Sequence, residues 1–287
     1  MGIRDWGLGT GDWRSVSRIP SPQSPVSDPH SPFPNHPMPH LSWDACYNAR
    51  DLGGLPVTDG GQIRPGALIR SDILSRLTPA GRQALINYGV KTVIDLRMPE
   101  QIAEEPSAFV ADQPKPGEPA YLILPVENPS SPHFATVDNA SSRAENYCLM
   151  LEHFQPQFAA IVRAVADAPA GGVLLHCHAG RDRTGVVIVL LLGLVGVPNG
   201  EITADYAASE ERLWPLYHRM EAEAAGDPVK LAAIQRQKPI ALPETMQAVL
   251  DHLQASYGGV MKYLLATGLR ETELARIQDR LVERRSR

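Results

Sequence analysis

The segment 171–197 constrains the fold of this chain more than any other part of its sequence. It reads GGVLLHC at 171–177, HAGRDR at 178–183 and TGVVIVLLLGLVGV at 184–197. The first stretch is typical of a short buried strand, and the last predicts an apolar helix that begins near Thr184. Gly180 allows a sharp turn between them. The pattern therefore predicts a strand, a tight loop and a helix, which together form a unit of an α/β fold.

The chain before this segment alternates strand and helix patterns from about residue 41. Thr78 and Pro79 supply an N-cap and a first-turn proline for a helix to about Tyr88, closed by Gly89. One long helix is predicted from about Ser142 to Ala168. Further strands and a short acidic helix are indicated by ALIRS (67–71), KTVIDLR (91–97), PEQIAEE (99–105) and YLILPV (121–126). This alternation predicts the α/β class, with a central, largely parallel sheet flanked by helices.

Beyond residue 199 the sequence is typical of helices throughout, so we expect a helical C-terminal part. Within it, residues 207–240 are more polar than their neighbours. They could form a mobile lid over a functional site. An ordinary solvated helical hairpin would explain the same polarity, and the sequence does not separate the two.

Composition excludes several classes of function. The 287 residues carry a net charge of -5 and a pI near 6.0, which lacks the basic excess of nucleic-acid-binding proteins. Three scattered cysteines and no C-x-x-C pair predict neither a disulfide framework nor a structural zinc site, and reduced thiols suit a cytoplasmic location. The longest apolar run, 186–197, is shorter than the roughly 20 residues that span a bilayer. Export without a Sec signal stays open.

The first forty residues differ from the rest of the chain. Residues 1–40 are crowded with Pro, Ser and Gly and show no apolar periodicity. Such a segment buries too little apolar surface to balance its ordering entropy. We expect a disordered tail at 1–40, followed by one catalytic domain at 41–287.

The loop HCHAGRDRTG, residues 176–185, has the layout of a phosphate-binding turn. Successive backbone N–H groups at a helix N-terminus provide a seat for a dianionic phosphate. The residues expected to form this seat are His178, Ala179, Gly180 and Arg181. The same partial positive charge favours the thiolate of Cys177, which would act as the nucleophile.

The remaining loop residues fit the same chemistry. Arg183 offers a planar fork that can hold two phosphate oxygens and stabilise the transition state. Thr184 can donate its hydroxyl to the sulfur, and His176 can fix the corner between strand and loop. The alternatives are a buried structural thiol at Cys177 and core or metal-binding roles for His176 and His178. A C-x-H pair needs further ligands, and none lies at suitable spacing, so no metal or cofactor is expected.

These residues resemble the H-C-x5-R-[ST] loop of the cysteine-dependent phosphatases. The longer form H-C-x-A-G-x-D-R-T-G is similar to the bacterial tyrosine, dual-specificity and lipid phosphatases typified by mycobacterial protein tyrosine phosphatase B. Arg181 departs from the pattern, because family members often carry Lys there. The resemblance extends to NARDLGG (48–54), RPGALIRSDILSRLT (64–78), VIDLRMPEQ (93–101), ADYAASEE (204–211) and YGGVMKYLLATGL (257–269).

The proton donor is the residue that the motif defines least. A general acid must reach the leaving oxygen, and no W-P-D string of the kind many tyrosine phosphatases use occurs here. Asp182, next to Arg183 inside the loop, is the first candidate, although it could instead accept loop amides. Asp95, at the carboxyl end of a predicted strand, is the second candidate. It could instead only orient Arg183.

The resemblance implies a metal-independent phosphomonoesterase that works through a phosphocysteine intermediate. Its substrates would be phosphotyrosine and, in part, phosphoserine, phosphothreonine or phosphoinositides, and its partner a phosphorylated protein or a phosphoinositide. His178 and Arg181 would add positive charge at the loop rim that suits either. A catalytically silent phosphate-binding module is the alternative from another class. A rhodanese or arsenate reductase would share the thiolate but not the DRTG sequence. The oligomeric state does not follow from the sequence.

Overall fold

A computed structural model of the chain describes residues 39–110 and 116–284. The tail predicted to be disordered lies outside these residues except for its last two. Of those, His40 pairs with Arg50 as an isolated bridge and accepts a hydrogen bond of 2.7 Å from Arg212. Pro39 O also accepts a hydrogen bond from Asp51 N, so the chain already contacts the domain two residues before the predicted boundary at 41.

Strands and helices are interspersed up to residue 194, and helices dominate the rest. The strands are β1 (Arg50–Asp51), β2 (Gly61–Ile63), β3 (Leu68–Ser71), β4 (Val90–Asp95), β5 (Ala120–Ile123), β6 (Gly172–His176) and β7 (Val282–Arg284). The helices are α1 (Pro79–Asn87), α2 (Pro99–Glu104), α3 (Phe134–Asp138), α4 (Arg143–His153), α5 (Gln155–Asp167), α6 (Asp182–Leu194), α7 (Asn199–Glu223), α8 (Pro228–Arg236), α9 (Pro243–Tyr257), α10 (Val260–Ala266) and α11 (Glu271–Leu281).

Five strands form the central sheet in the order β1-β3-β6-β4-β5. Strands β3, β6, β4 and β5 run parallel, and β1 pairs antiparallel with β3. The predicted α/β class with a largely parallel sheet, flanking helices and a helical C-terminal part is confirmed. Strands β2 and β7 form a separate antiparallel pair.

Both faces of the sheet are covered, as the period of two along β6 shows. Val173 and Leu175 belong to the larger core, which also contains the apolar sides of α5, α6, α9 and α11. Leu174, which points to the other face, packs in a smaller core with Leu85 of α1 and with Phe109. A strand enclosed on both faces is apolar throughout, as GVLLH nearly is. No helix within residues 39–110 and 116–284 is long and apolar enough to cross a membrane.

The prediction of one long helix over 142–168 is wrong. Helix α4 ends at His153, and α5 begins at Gln155. Between them Phe154 leaves the helical region, with φ −117° and ψ 32°. Pro156 explains the break, because it has no N–H for an i−4 hydrogen bond and its ring crowds the carbonyl of residue 152.

Two other boundaries differ from the prediction. Helix α6 begins at Asp182, two residues before Thr184, so Asp182 and Arg183 lie in its first turn. The expectation that everything beyond 199 is helical is wrong for β7, whose Val282 pairs with Ile63 of β2. That partner is distant in sequence, so no local pattern in VER announces the strand.

The parallel strands bring their carboxyl ends to one edge of the sheet. Ser71 at the end of β3 and Asp95 at the end of β4 are both in register with His176 at the end of β6. Ligand sites in parallel sheets gather at this edge. The loop 177–181 follows directly from it, so the fold places the predicted phosphate seat there.

Candidate active site

The loop between β6 and α6 turns its carbonyl groups onto the surrounding protein. Four successive carbonyls, those of residues 178–181, accept hydrogen bonds from elements outside the loop. The pairs are Ile73 N to His178 O at 2.9 Å, Asn48 Nδ2 to Ala179 O at 3.0 Å, Arg70 Nη2 to Gly180 O at 2.6 Å and Arg70 Nη2 to Arg181 O at 3.4 Å. The loop is therefore fixed from its outer side.

This arrangement leaves the amide groups on the other side of the loop. In a planar trans peptide, the C=O of one residue and the N–H of the next point in opposite directions. The N–H groups of residues 179–182 therefore face away from the donors that hold the carbonyls. Within the described residues these N–H groups have no hydrogen-bond acceptor. A row of free donors at a helix N-terminus is the local structure that binds phosphate.

Gly180 is the residue on which this turn depends. Its φ of +65° lies in the left-handed region, and a Cβ there would meet Ser71 O at 2.0 Å. Neither the dihedral angle nor the contact tolerates a side chain. The close approach to the end of β3 is also what allows Arg70 to reach the loop carbonyls.

Cys177 begins the loop directly after β6. The side chain is buried, with 2% of its surface exposed. His176 precedes it and is fully buried, and its Nδ1 lies 3.0 Å from the Cys177 carbonyl oxygen. Burial lowers the pKa of His176, so the neutral imidazole is favoured and can donate from Nδ1 to that carbonyl. His176 thus fixes the corner where strand becomes loop.

Arg183 points across the site toward the segment that follows β5. Its Nη1 donates to Gln101 Oε1 at 2.7 Å and to Glu127 Oε2 at 2.9 Å. Burial disfavours the charge, but Glu127 and Cys177 outweigh it and raise the pKa of Arg183. Its Nε and Nη2 make no hydrogen bond within the described residues. One edge of the guanidinium is therefore fixed, and the other can hold two phosphate oxygens.

Thr184 supplies an unused donor beside the loop. Its hydroxyl is fully buried and has no hydrogen-bond partner within the described residues, so the expected bond to the Cys177 sulfur is not formed. A buried hydroxyl without a partner costs free energy unless a ligand or a charged group satisfies it.

Asp182 is held by three groups. Its Oδ1 accepts from Tyr147 Oη at 2.5 Å, its Oδ2 lies 3.1 Å from Arg181 Nε, and Arg143 Nε lies 3.6 Å from Oδ1. Burial alone would raise the pKa of Asp182, but Arg181 and Arg143 lower it below its usual value. The carboxylate form is therefore favoured when no substrate is bound.

Asp95 has a different set of partners. Its carboxylate accepts from Arg97 Nη2 at 2.7 Å and from Tyr121 Oη at 2.5 Å, and lies 3.5 Å from His176 Nε2. The alternative that Asp95 orients Arg183 is not what the described residues show, because Gln101 and Glu127 take that place. Asp95 holds Arg97 and the strand ends together and is fully buried.

The two cations expected at the loop rim are both engaged with acids. His178 Nε2 lies 3.3 Å from Glu105 Oε2. Arg181 is 2% exposed, and besides Asp182 it donates from Nη1 to Lys238 O at 3.0 Å. Neither side chain is a free charge at the rim. The rim therefore presents less positive potential than the sequence predicts.

Comparison with known proteins assigns the chain to a family. Residues 41–283 match the family described as the tyrosine phosphatase family. The chain belongs to that family. The phosphatase is accordingly a hydrolase of the protein-tyrosine-phosphatase type, and the resemblance drawn from the loop and its flanks is confirmed.

Individual relatives cover most of the phosphatase. A tyrosine-protein phosphatase of Nostoc commune is 32% identical over 230 residues, which is 76% of this chain and 75% of its own. The triple specificity protein phosphatase PtpB of Mycobacterium tuberculosis is 28% identical over 271 residues, which is 83% of this chain and 97% of its own. A crystal structure of P. aeruginosa TpbA in complex with pTyr matches 65% of this chain and 86% of its own at 15% identity. Its TM-score of 0.31 is too low to support a conclusion about fold.

Sequence reasoning missed several residues that shape the site of the phosphatase. Gln101 and Glu127 hold Arg183, Tyr147 binds Asp182, and Asn48 and Arg70 bind the loop carbonyls. Asn48 and Arg70 lie in flanking segments that resemble the family. That resemblance marks the two residues but does not indicate what they do. Glu127 sits in a Pro/Ser-rich loop, where no pattern marks it.

The segment 207–240 lies against the phosphate loop. It contains residues 207–223 of α7 and all of α8, and its buried Leu213, Leu216 and Tyr217 pack with Ala179 of the loop. Whether it moves as a lid stays a prediction. Among the described residues no group of three His, Cys, Asp or Glu side chains could hold a metal ion.

Proposed function

We propose that the phosphatase hydrolyses phosphotyrosine through a phosphocysteine at Cys177. The observation that carries this proposal is the inward row of free N–H groups between Cys177 and Arg183. A phosphate group in the loop would contact the amides of residues 179–182 on one side and the free edge of the Arg183 guanidinium on the other. The nucleophile lies at the start of the same loop.

In the first step, the Cys177 sulfur attacks phosphorus as the bond to the phenolic oxygen breaks. Asp182 would give its proton to that oxygen, so the leaving group departs as a neutral phenol. In the second step, water attacks phosphorus and the S–P bond breaks. Asp182 takes the water's proton, and inorganic phosphate and the thiolate are released. No metal takes part in either step of this proposal.

Asp182 is preferred to Asp95 as the proton donor because of where the two carboxyls lie. Asp182 stands in the first turn of α6, beside Arg183, whereas Asp95 is fully buried and bound to Arg97 and Tyr121. To act as the acid, however, Asp182 must be protonated, although the charges of Arg181 and Arg143 lower its pKa. That requirement makes its step more favourable as the pH falls.

The proposed main substrate is phosphotyrosine. Phosphoserine, phosphothreonine and phosphoinositides remain in the proposal as secondary substrates. The rim charges that would favour a polyanionic inositol head group, His178 and Arg181, are paired with Glu105 and Asp182. The partner is thus a phosphorylated protein before a lipid. The three free thiols fit a reducing compartment, so we place the protein in the cytoplasm.

The test is release of p-nitrophenol from p-nitrophenyl phosphate in the presence of EDTA. We expect turnover in the wild type and none in Cys177→Ser, which should still bind phosphotyrosine because the amide row is unchanged. A wild type that binds phosphate esters but turns none over would support the silent binding module. Turnover near the wild-type rate in Cys177→Ser would remove Cys177 from the mechanism.

A further inference from the structure

Four polar side chains behind the phosphate loop form one buried cluster, which we call the loop support: Asn48, Arg50, Arg70 and Asp205. Each of them is at most 1% exposed. Asp205 of α7 accepts from Arg50 Nε at 2.7 Å and also pairs with Arg70 Nη1. The loop support therefore contains two guanidinium cations and one carboxylate.

Asp205 reaches the loop through two routes. In the first, Arg70 binds Asp205 with Nη1 and the carbonyls of Gly180 and Arg181 with Nη2. In the second, Arg50 Nη1 donates to Asn48 Oδ1 at 2.5 Å, which fixes the direction of that amide. The amide Nδ2 then donates to Ala179 O at 3.0 Å and to Gly180 O at 3.2 Å.

These contacts act on the phosphate side of the loop through the peptide units. A peptide whose C=O is bound outward presents the next N–H inward, so the contacts orient the amides of residues 180–182. A hydrogen bond from a guanidinium polarises the peptide and strengthens its N–H as a donor. The excess positive charge of the loop support lies behind the same amides, where burial screens it little from a bound dianion.

We propose that Asn48, Arg70 and Asp205 are positioning residues for phosphate, setting the direction and donor strength of the amides of residues 180–182. None of the three is expected to touch the substrate. The inference rests on the proposed function of the loop. It also makes α7 part of the phosphate site, because Asp205 is the point where that helix joins the loop support.

The experiment compares two variants of the full-length protein with a matched control. Asn48→Ala removes the amide contacts to the loop and leaves the Asp205 ion pairs. Arg70→Lys keeps a cation beside Asp205, but an ammonium cannot also reach both loop carbonyls. Ser209→Ala is the control, because Ser209 accepts a buried hydrogen bond from Arg50 Nη2 but contacts no loop carbonyl among the described residues. Inorganic phosphate is the probe, measured as a competitive inhibitor of p-nitrophenyl phosphate hydrolysis.

We expect Asn48→Ala and Arg70→Lys to raise the inhibition constant of phosphate by about tenfold, which is the contribution of about one hydrogen bond from a misdirected amide to the charged phosphate. Ser209→Ala should lower the Tm yet leave that constant within about twofold, since the loop carbonyls keep their donors. If the constant stays unchanged in Asn48→Ala while the Tm falls, the loop support is only structural and the inference is wrong. Asn48→Ala decides alone if Arg70→Lys does not fold. A wild type that neither binds phosphate nor turns over substrate contradicts the proposed function instead.

Discussion

At Arg183 the proposed mechanism gives a single guanidinium two tasks: Nη1 donates to Gln101 and Glu127, while Nε and Nη2, which make no hydrogen bond within the described residues, would hold phosphate. Lys keeps the charge but cannot do both. We therefore expect Arg183→Lys to lower kcat/KM for a phosphotyrosyl peptide by more than tenfold, or about 1.4 kcal/mol of barrier.

Arg82→Lys serves as the control for that substitution. Arg82 of α1 pairs with Glu118 at 2.6 Å and is partly exposed, away from the loop. The kcat/KM of the Arg82→Lys variant should stay near that of the wild type. A loss in Arg183→Lys no larger than in Arg82→Lys would argue against the two-oxygen role of Arg183.

A second prediction at the residue scale separates the two aspartates. A general acid matters less as the leaving group improves, because a stabilised phenoxide departs without a proton. Asp182→Asn should therefore depress hydrolysis of phosphotyrosine far more than hydrolysis of a difluorinated umbelliferyl phosphate. Asp95→Asn should reduce both rates alike, because it releases Arg97 and the strand ends. Steeper leaving-group dependence in Asp95→Asn would reverse the assignment.

The lowered pKa of Asp182 gives that assignment a pH signature. Below this pKa the carboxyl holds the proton that the leaving group needs, and above it the proton is progressively lost. The ratio of the rate on phosphotyrosine to the rate on the umbelliferyl ester should rise as the pH is lowered. In Asp182→Asn the ratio should be flat. A ratio in the wild type that rises with pH would contradict the role of Asp182.

At the scale of elements, the strand, loop and helix at 172–194 depend on Gly180. A Cβ at this residue would meet Ser71 O at 2.0 Å, and the positive φ adds strain. We expect Gly180→Ala to lose more than about 2 kcal/mol of stability and nearly all activity. Gly200→Ala, in the first turn of α7 with open space around it, should change neither. Thermal unfolding and p-nitrophenyl phosphate turnover measure both effects. Similar results for the two glycines would contradict the proposed geometry.

The elements also show what the sequence can predict. The strand before Cys177 and the helix after it follow from apolar runs and a glycine, which are local signals. The apolar period continues through Phe154 and so hides the helix break there, although Pro156 forbids the helical hydrogen bond. Glu127 and β7 have no local signal at all. Their roles come from contacts with Arg183 and β2, which only the folded chain brings together.

At the scale of the whole molecule, buried aspartates tie stability to pH. Burial would raise the pKa of Asp205, but Arg50 and Arg70 lower it, and hydrogen bonds from Arg97 and Tyr121 help to lower the pKa of Asp95 in the same way. Their stabilising effect is complete above the unfolded-state pKa near 4 and disappears as the pH falls through the lower folded-state values. The Tm should therefore fall steeply below about pH 4. A Tm that is constant between about pH 6 and pH 2 would contradict these buried ion pairs.

The proposed division of the chain makes another prediction at this scale. His40 and Pro39 still contact the domain, through Arg212 and through the N–H of Asp51. A protein that begins at residue 39 should therefore keep the Tm and the turnover of p-nitrophenyl phosphate of the full chain. A loss of more than about tenfold in kcat/KM would show that residues 1–38 belong to the catalytic unit.

The most direct measurement of the central claim is mass spectrometry of the enzyme after acid quench during turnover of a phosphotyrosyl peptide. The two-step reaction predicts a fraction of the enzyme heavier by one phosphoryl group, located on the peptide that contains Cys177. Asp182→Asn should retain the adduct longer, because water then lacks its base, and Cys177→Ser should carry none. Full turnover with no adduct in either the wild type or Asp182→Asn, or an adduct on another residue, would contradict the phosphocysteine route.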